Sequence, residues 1–225
     1  DGRIKAYDLK VLEDDKNYFP PYYAAPVIRQ DTLRKYPELR EVFAKLAGKI
    51  SEEKMAELNY LVDEEKQPTL EVAKTFLDEL GLKTSTERRG KSDIVIGSKG
   101  FTEQYILADI LAILIENYTN LDVELKTGMA GTKIVFDALN QGSIDMYPEY
   151  TGTGLLVILK PDEETINRII DDKDEVLEYV RREWKKRYQI EWLQPFGFNN
   201  TYALMMREDE ANELDISSIS DLKEI

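Results

Sequence analysis

Ile94-Val-Ile-Gly-Ser-Lys-Gly-Phe-Thr-Glu-Gln-Tyr-Ile-Leu107 opens on a short apolar run, turns through Ser98-Lys-Gly-Phe101 and enters a helical pattern near Thr102. A β-branched run, a polar turn and then apolar residues at helical spacing read as strand, loop and helix. The same succession returns downstream. Val123 to Lys126 leads through Gly128-Met-Ala-Gly131 into a helix over 132–140, and Ile144 to Tyr147 leads into Pro148-Glu-Tyr-Thr-Gly-Thr-Gly154. Strands alternating with helices at short spacing predict an α/β domain with a largely parallel sheet and helices on both faces.

Outward from this segment the pattern is less regular. Acidic helices are expected at 162–171 and 174–187, then an extended Ile190 to Leu193, a strand Tyr202 to Met206, and a helix beginning near Ile219. Upstream, residues 4–12 partly alternate and read as a strand, and Glu13-Asp-Asp-Lys-Asn17 as a turn. Tyr18-Phe-Pro-Pro-Tyr-Tyr23 reads as an ordered aromatic loop, because two prolines bar regular structure there. Asp31 is placed to cap a helix over 32–47 with Leu33, Tyr36, Leu39, Val42, Phe43 and Leu46 on one face and Gly48 ending it. Further helices are expected to start at Ser51 and Thr69. Residues 83–93 carry no large apolar side chain and no periodicity, and read as a linker.

Composition narrows the function. The chain has 225 residues, is 42% hydrophobic and carries a net charge of −14, which argues against nucleic acid as a partner because phosphate binding needs clustered Lys and Arg. It contains neither Cys nor His. Disulfides and thiolate chemistry are therefore excluded, and zinc sites and His-based acid–base catalysis lose their usual residues. The longest apolar-rich stretch, Tyr105 to Ile115, is too short to span a bilayer. Ser51-Glu-Glu-Lys54 is better explained by helix capping than by catalysis, Gly152-Thr-Gly154 lacks the rest of a phosphate or dinucleotide loop, and Asp14-Asp15 and Asp171-Asp172 read as solvated turns. No enzyme activity, metal or cofactor is expected.

In open α/β sheets ligands bind beyond the carboxyl ends of the strands. Three turns there are polar or glycine-rich: 98–104, 128–132 and 150–154. Helix starts near Thr102 and Thr132 offer free N–H groups to an anion, although both threonines are equally suited to cap their own helices. Tyr22, Tyr150 and Tyr202 stand in or beside loops. Such rings are commonly packing residues, but gathered round a cleft they would hold a quaternary ammonium by cation–π attraction, at about 2 kcal/mol when desolvated.

Three stretches carry a resemblance. Ile94 to Leu107, Asp145-Met-Tyr-Pro-Glu-Tyr-Thr-Gly-Thr-Gly-Leu155 and Gly197-Phe-Asn-Asn-Thr-Tyr-Ala-Leu204 resemble the N-terminal part of substrate-binding proteins for glycine betaine, choline and related osmoprotectants. Asp1-Gly-Arg-Ile, Leu12 to Lys16, Phe19-Pro-Pro-Tyr-Tyr-Ala-Ala-Pro-Val27 and Thr32 to Leu39 resemble the C-terminal part of the same family. The resemblance implies one lobe of a type II periplasmic binding protein, a three-layer α/β/α unit. Residues 1–82 would be its C-terminal segment, 83–93 a linker and 94–225 its N-terminal segment ending at the hinge, together one domain. The order is inverted relative to the family, which implies either a circular permutation or an excerpt of a tandem protein.

What the resemblance implies for function is an extracytoplasmic receptor handing a small quaternary amine or zwitterion to the membrane permease of an ABC importer. Tyr22, Tyr150, Thr153 and Tyr202 fall on the family's ligand positions, with Gln104 and Thr132 at helix starts that reach the ligand's polar end. The rest of the cage would come from the second lobe, so weak binding is expected. Met129-Ala-Gly131 departs from the family's usual Gly-Gly before Thr132. The competing expectation is a scaffold of the same lobe that binds nothing.

Overall fold

The computed structural model describes residues 2–16, 18–85 and 92–224. Residues 4–12 are not one strand. Arg3–Ala6 forms a helical turn (α1), Asp8 takes a positive φ of 48°, and only Leu9–Val11 is extended (β1), paired with Met205–Arg207. The central strand β2 is Ala24–Arg29. The helix expected over 32–47 is two helices, α2 (Gln30–Lys35) and α3 (Leu39–Ala44). Pro37 breaks it: a proline disfavours the helical region for the residue before it, and Tyr36 sits at φ −130°, ψ 70°. Asp31 lies inside the first turn of α2 rather than at its cap.

Helices α4 (Glu52–Asp63) and α5 (Thr69–Glu79) follow as expected, with the Ser51 side chain accepting from the Lys54 N–H. Residues 86–91 of the expected linker lie outside the described residues. Then come β3 (Ile94–Lys99), α6 (Thr102–Tyr118), β4 (Val123–Met129), α7 (Thr132–Asn140) and β5 (Met146–Tyr150). The turn expected after Tyr147 begins later, because β5 continues to Tyr150. A short helix, α8 (Thr151–Thr153), runs on into a π-helical turn over Gly154–Leu159. The remainder is α9 (Glu163–Ile169), α10 (Lys173–Tyr188), β6 (Ile190–Trp192), β7 (Met205–Arg207) and α11 (Glu208–Glu213). Residues 202–204 are not in the strand expected there, and Ser220–Glu224 is a 3-10 turn, not an α-helix.

The main sheet has the order β4-β3-β5-β2-β6. Strands β4, β3 and β5 pair in parallel, while β2 is antiparallel to both neighbours, so four of the five strands share one direction. Period-two alternation sends Ala24, Ile28, Ile94 and Ile96 to one face and Ala25, Val27 and Val95 to the other. The first face is covered by α3 to α6, with α6 buried on all sides from Ile106 to Ile115. The second is covered by α7, α10 and the π-helical turn. This is a three-layer α/β lobe. Strands β1 and β7 form a separate two-stranded sheet. Among the described residues no helix is long and apolar enough to cross a membrane.

Candidate ligand-binding site

The parallel strands end at Lys99 in β3 and Tyr150 in β5. Because β2 runs the other way, its start at Ala24 lies on the same edge, paired with Tyr150. Tyr22 precedes it. Its position is fixed by the Tyr22 N–H donating to Asn199 Oδ1 at 2.7 Å, and by Thr151 Oγ1, which accepts from the Tyr23 N–H and donates to the Pro21 carbonyl. Gly152 permits the close approach: a Cβ there would stand 2.7 Å from Tyr22 Cε1 and 2.9 Å from the Pro21 oxygen. The segments carrying Tyr22 and Tyr150, far apart in sequence, are thus stitched side by side.

Between them lies a cavity of about 280 Å³ walled by Tyr22, Thr132, Tyr150, Thr153 and Tyr202. Five of the six residues expected from sequence therefore meet in one hollow. Gln104 does not line it. Fully buried below, Gln104 donates to the Pro148 carbonyl (2.8 Å) and the Tyr150 hydroxyl (3.2 Å), and accepts from the Lys99 N–H (3.1 Å). It holds the wall in place. The suspected capping role of Thr102 and Thr132 is also corrected. Both are first helical residues, behind Phe101 and Gly131, and neither helix has a side-chain cap. Thr102 donates instead to Asp63 Oδ1 at 2.6 Å.

Lys99, Phe101, Asn200 and Thr201 complete the lining, although none had been singled out. The polar turn 98–104 and the Asn199-Asn200 pair were the signals for them. Phe101 stacks near Tyr150, with centroids 6.3 Å apart and planes 24° off parallel. Tyr22 and Tyr202 meet edge to face, at 5.5 Å and 85°. The result is a corner of neutral π-faces: burial raises the Tyr22 phenol above its ordinary value, and Tyr150 rises well above it through burial first and then the charge of Glu103.

Opposite charge is arranged around that corner. The Lys99 ammonium lies 5.0 Å from the Tyr150 centroid and pairs with fully buried Glu149, whose carboxylate also accepts from the Tyr147 hydroxyl (2.9 Å) and the Tyr150 N–H (2.7 Å). Nearby, the uncapped first turn of α7 presents the partial positive charge of a helix N-terminus. Beneath Tyr150 the buried carboxylate of Glu103 accepts from the Tyr150 hydroxyl (2.6 Å) and from Asn200 Nδ2 (3.0 Å) and Asn59 Nδ2 (3.4 Å). Burial pushes the Glu103 carboxyl pKa up, opposed by those donors. No group of three or more acidic side chains able to hold a metal occurs among the described residues. The arrangement suits a small molecule with a soft cationic part and a compact anionic one.

The fold is that of an α/β binding-protein lobe, and the cavity lies at the carboxyl edge of its sheet. Over residues 1–79 and 92–225 the chain matches the family of substrate-binding domains of ABC-type glycine betaine transport systems, and it belongs to that family. Residues 80–91 fall between the two matched spans. The chain is 50% identical over 82 residues to the ergothioneine transport permease/ergothioneine binding protein EgtU of Helicobacter pylori (strain G27), covering 36% of this chain and 15% of that protein. It is 33% identical over 136 residues to the carnitine transport binding protein OpuCC of Listeria monocytogenes serotype 1/2a, covering 60% and 42%. To a glycine-betaine-binding protein of Pseudomonas aeruginosa it is 37% identical over 131 residues, covering 58% and 39%. The chain spans less than half the length of each of these relatives.

Proposed function

We propose that this chain is one lobe of an extracytoplasmic receptor that captures a quaternary-ammonium zwitterion for the permease of an ABC importer. The observation that carries the reading is the cavity itself. It gathers the edge-to-face pair Tyr22 and Tyr202 and the ring of Tyr150 in one hollow with Lys99, Thr132 and Thr153, the Lys99 ammonium standing 5.0 Å from the Tyr150 centroid. The onium group would rest against the Tyr22 and Tyr202 rings by cation–π attraction, and the carboxylate would face the Lys99 ammonium beside Tyr150, the two hydroxyls and the first turn of α7. The names of the relatives, glycine betaine, carnitine and ergothioneine binders, support this class.

The same reading makes 1–82 and 94–225 two segments of a single lobe in inverted order, joined through 83–93. The other wall of the cage then belongs to a second lobe, whose closure would exclude water. One wall desolvates a ligand incompletely, so binding should be millimolar.

An NMR titration of the chain with glycine betaine, carnitine, ergothioneine and choline tests this. The expected result is millimolar binding of the zwitterions, weaker binding of choline, and shifts centred on Tyr150 and Tyr202. Micromolar affinity would overturn the one-walled cage. No shift at saturating ligand would leave a lobe that binds nothing.

A further inference from the structure

Aromatic surface continues outward from the cavity wall at Tyr202. That ring, 66% exposed, lies 6.0 Å from Phe19 at a 36° tilt, and Phe19 meets Tyr18 edge to face at 5.4 Å and 81°. With Tyr22 behind Tyr202, four rings form a continuous track from the interior of the cavity to Tyr18, which is 82% exposed. Large exposed aromatic surface of this kind marks a binding surface more often than chance.

The backbone carrying Phe19 and Tyr22 is tied down at several points. Pro20 and Pro21 fix the backbone between Phe19 and Tyr22. The Phe19 N–H donates to Asp14 Oδ2 (2.8 Å), Thr201 Oγ1 donates to the Pro20 carbonyl (3.1 Å), and the Asn200 N–H donates to the Tyr22 carbonyl (3.0 Å). A backbone fixed in this way adds little ordering cost when the rings it carries are covered. The outer part differs chemically from the inner part. Lys99 and the threonines belong to the cavity, whereas Tyr18 and Phe19 contribute mainly π-faces and edges, with Phe19 lacking any polar atom. Such a surface suits a ring better than a second charged group.

We propose that Tyr18 and Phe19 form an outer subsite, continuous with the cavity through Tyr202, for an aromatic ring carried by the quaternary-ammonium zwitterion. The inference rests on the zwitterion reading above and adds selectivity to it: ring-bearing betaines should be preferred over glycine betaine.

The test uses NMR titrations of the whole chain with glycine betaine and with N,N,N-trimethylphenylalanine. The wild-type chain should bind the ring-bearing ligand two- to tenfold more tightly, the range expected of one aromatic pair. Phe19→Leu and Tyr18→Leu keep bulk while removing the ring. Each should bring that ratio towards one and leave glycine betaine within twofold, whereas Tyr22→Leu should weaken both ligands. A ratio unchanged in both outer variants overturns the subsite, as does an equal loss of both ligands on Phe19→Leu, which would make Phe19 only a support for Tyr202. If glycine betaine binds and responds to Tyr22→Leu, such a failure belongs to the subsite alone. If neither ligand binds the wild-type chain, the zwitterion reading falls and the subsite with it.

Discussion

The Tyr150 hydroxyl donates to Glu103 Oε1 at 2.6 Å, and the same oxygen accepts from Asn200 Nδ2 at 3.0 Å. One buried carboxylate on the first turn of α6 thereby fixes the end of β5 and the loop carrying Thr201 and Tyr202. Its burial raises its pKa. A carboxyl with a raised native pKa contributes stability that is fully present below the unfolded value, about 4.3, and is lost as pH rises through the native value. Glu103→Gln removes this titration. The melting temperature of the variant relative to wild type should therefore be higher at pH 8 than at pH 4, whatever constant cost the new amide brings. Thermal melts across that range check it, and a constant difference would exclude Glu103 as the titrating group.

Lys99 and Glu149 form a second buried pair, with side-chain exposures of 7% and 0%. Lys99→Met leaves the buried Glu149 without its counter-ion and should cost about 3–5 kcal/mol. Adding Glu149→Gln should recover much of that loss. Urea denaturation of the single and double variants measures it. The double variant, restored in stability, should still bind zwitterions less well than wild type if Lys99 faces the ligand carboxylate.

Gly152→Ala inserts a methyl group against Tyr22 and the Pro21 carbonyl. One neighbour is backbone, so relief must come from moving the aromatic loop. A destabilisation of about 1–3 kcal/mol is expected by denaturant titration, with chemical-shift changes concentrated at residues 19–23.

Tyr202 is largely exposed, and its removal should separate binding from folding. Tyr202→Ala should change stability by no more than about 0.5 kcal/mol but weaken binding of a quaternary ammonium by about 0.5–2 kcal/mol, while Tyr202→Phe keeps the π-face and most of the affinity. Parallel melts and NMR titrations distinguish the two effects.

The sequence carried these features unequally. Strand β3 and helix α6 were legible because an apolar run and a helical period leave little ambiguity. The Ser51 cap was legible because its side chain acts within its own turn. The break at Pro37 was also written locally but was outvoted by apolar spacing that continues through Leu39, Val42 and Leu46. What depends on distant partners was not legible. Residues 202–204 look like strand, yet the ladder with β1 covers only Met205–Arg207, and upstream of it the Leu204 carbonyl accepts a single bond from the Leu12 N–H. Site residues divide in the same way. The resemblance of the Tyr-Thr-Gly-Thr segment points to Tyr150 and Thr153, which both line the cavity, whereas the direction in which Gln104 and Lys99 point is set by the packing of α6 against the end of β5. The resemblance implies a ligand contact for Gln104, which instead braces the wall, and the polar turn 98–104 does not by itself single out Lys99 among its residues.

The antiparallel strand β2 has a kinetic meaning. It comes from the first third of the chain, yet it sits between β5 and β6, pairing Ile28 with Met146 and Glu191. Until it inserts, β5 and β6 each present an open edge with unpaired amides, and closing that loop spans more than a hundred residues. Contacts of such long sequence separation slow folding, and open edges recruit other chains meanwhile. Refolding should accordingly be limited by docking of β2, with aggregation rising steeply with protein concentration during that interval. Adding a peptide of residues 24–29 in excess should compete for the gap and slow recovery of the native sheet.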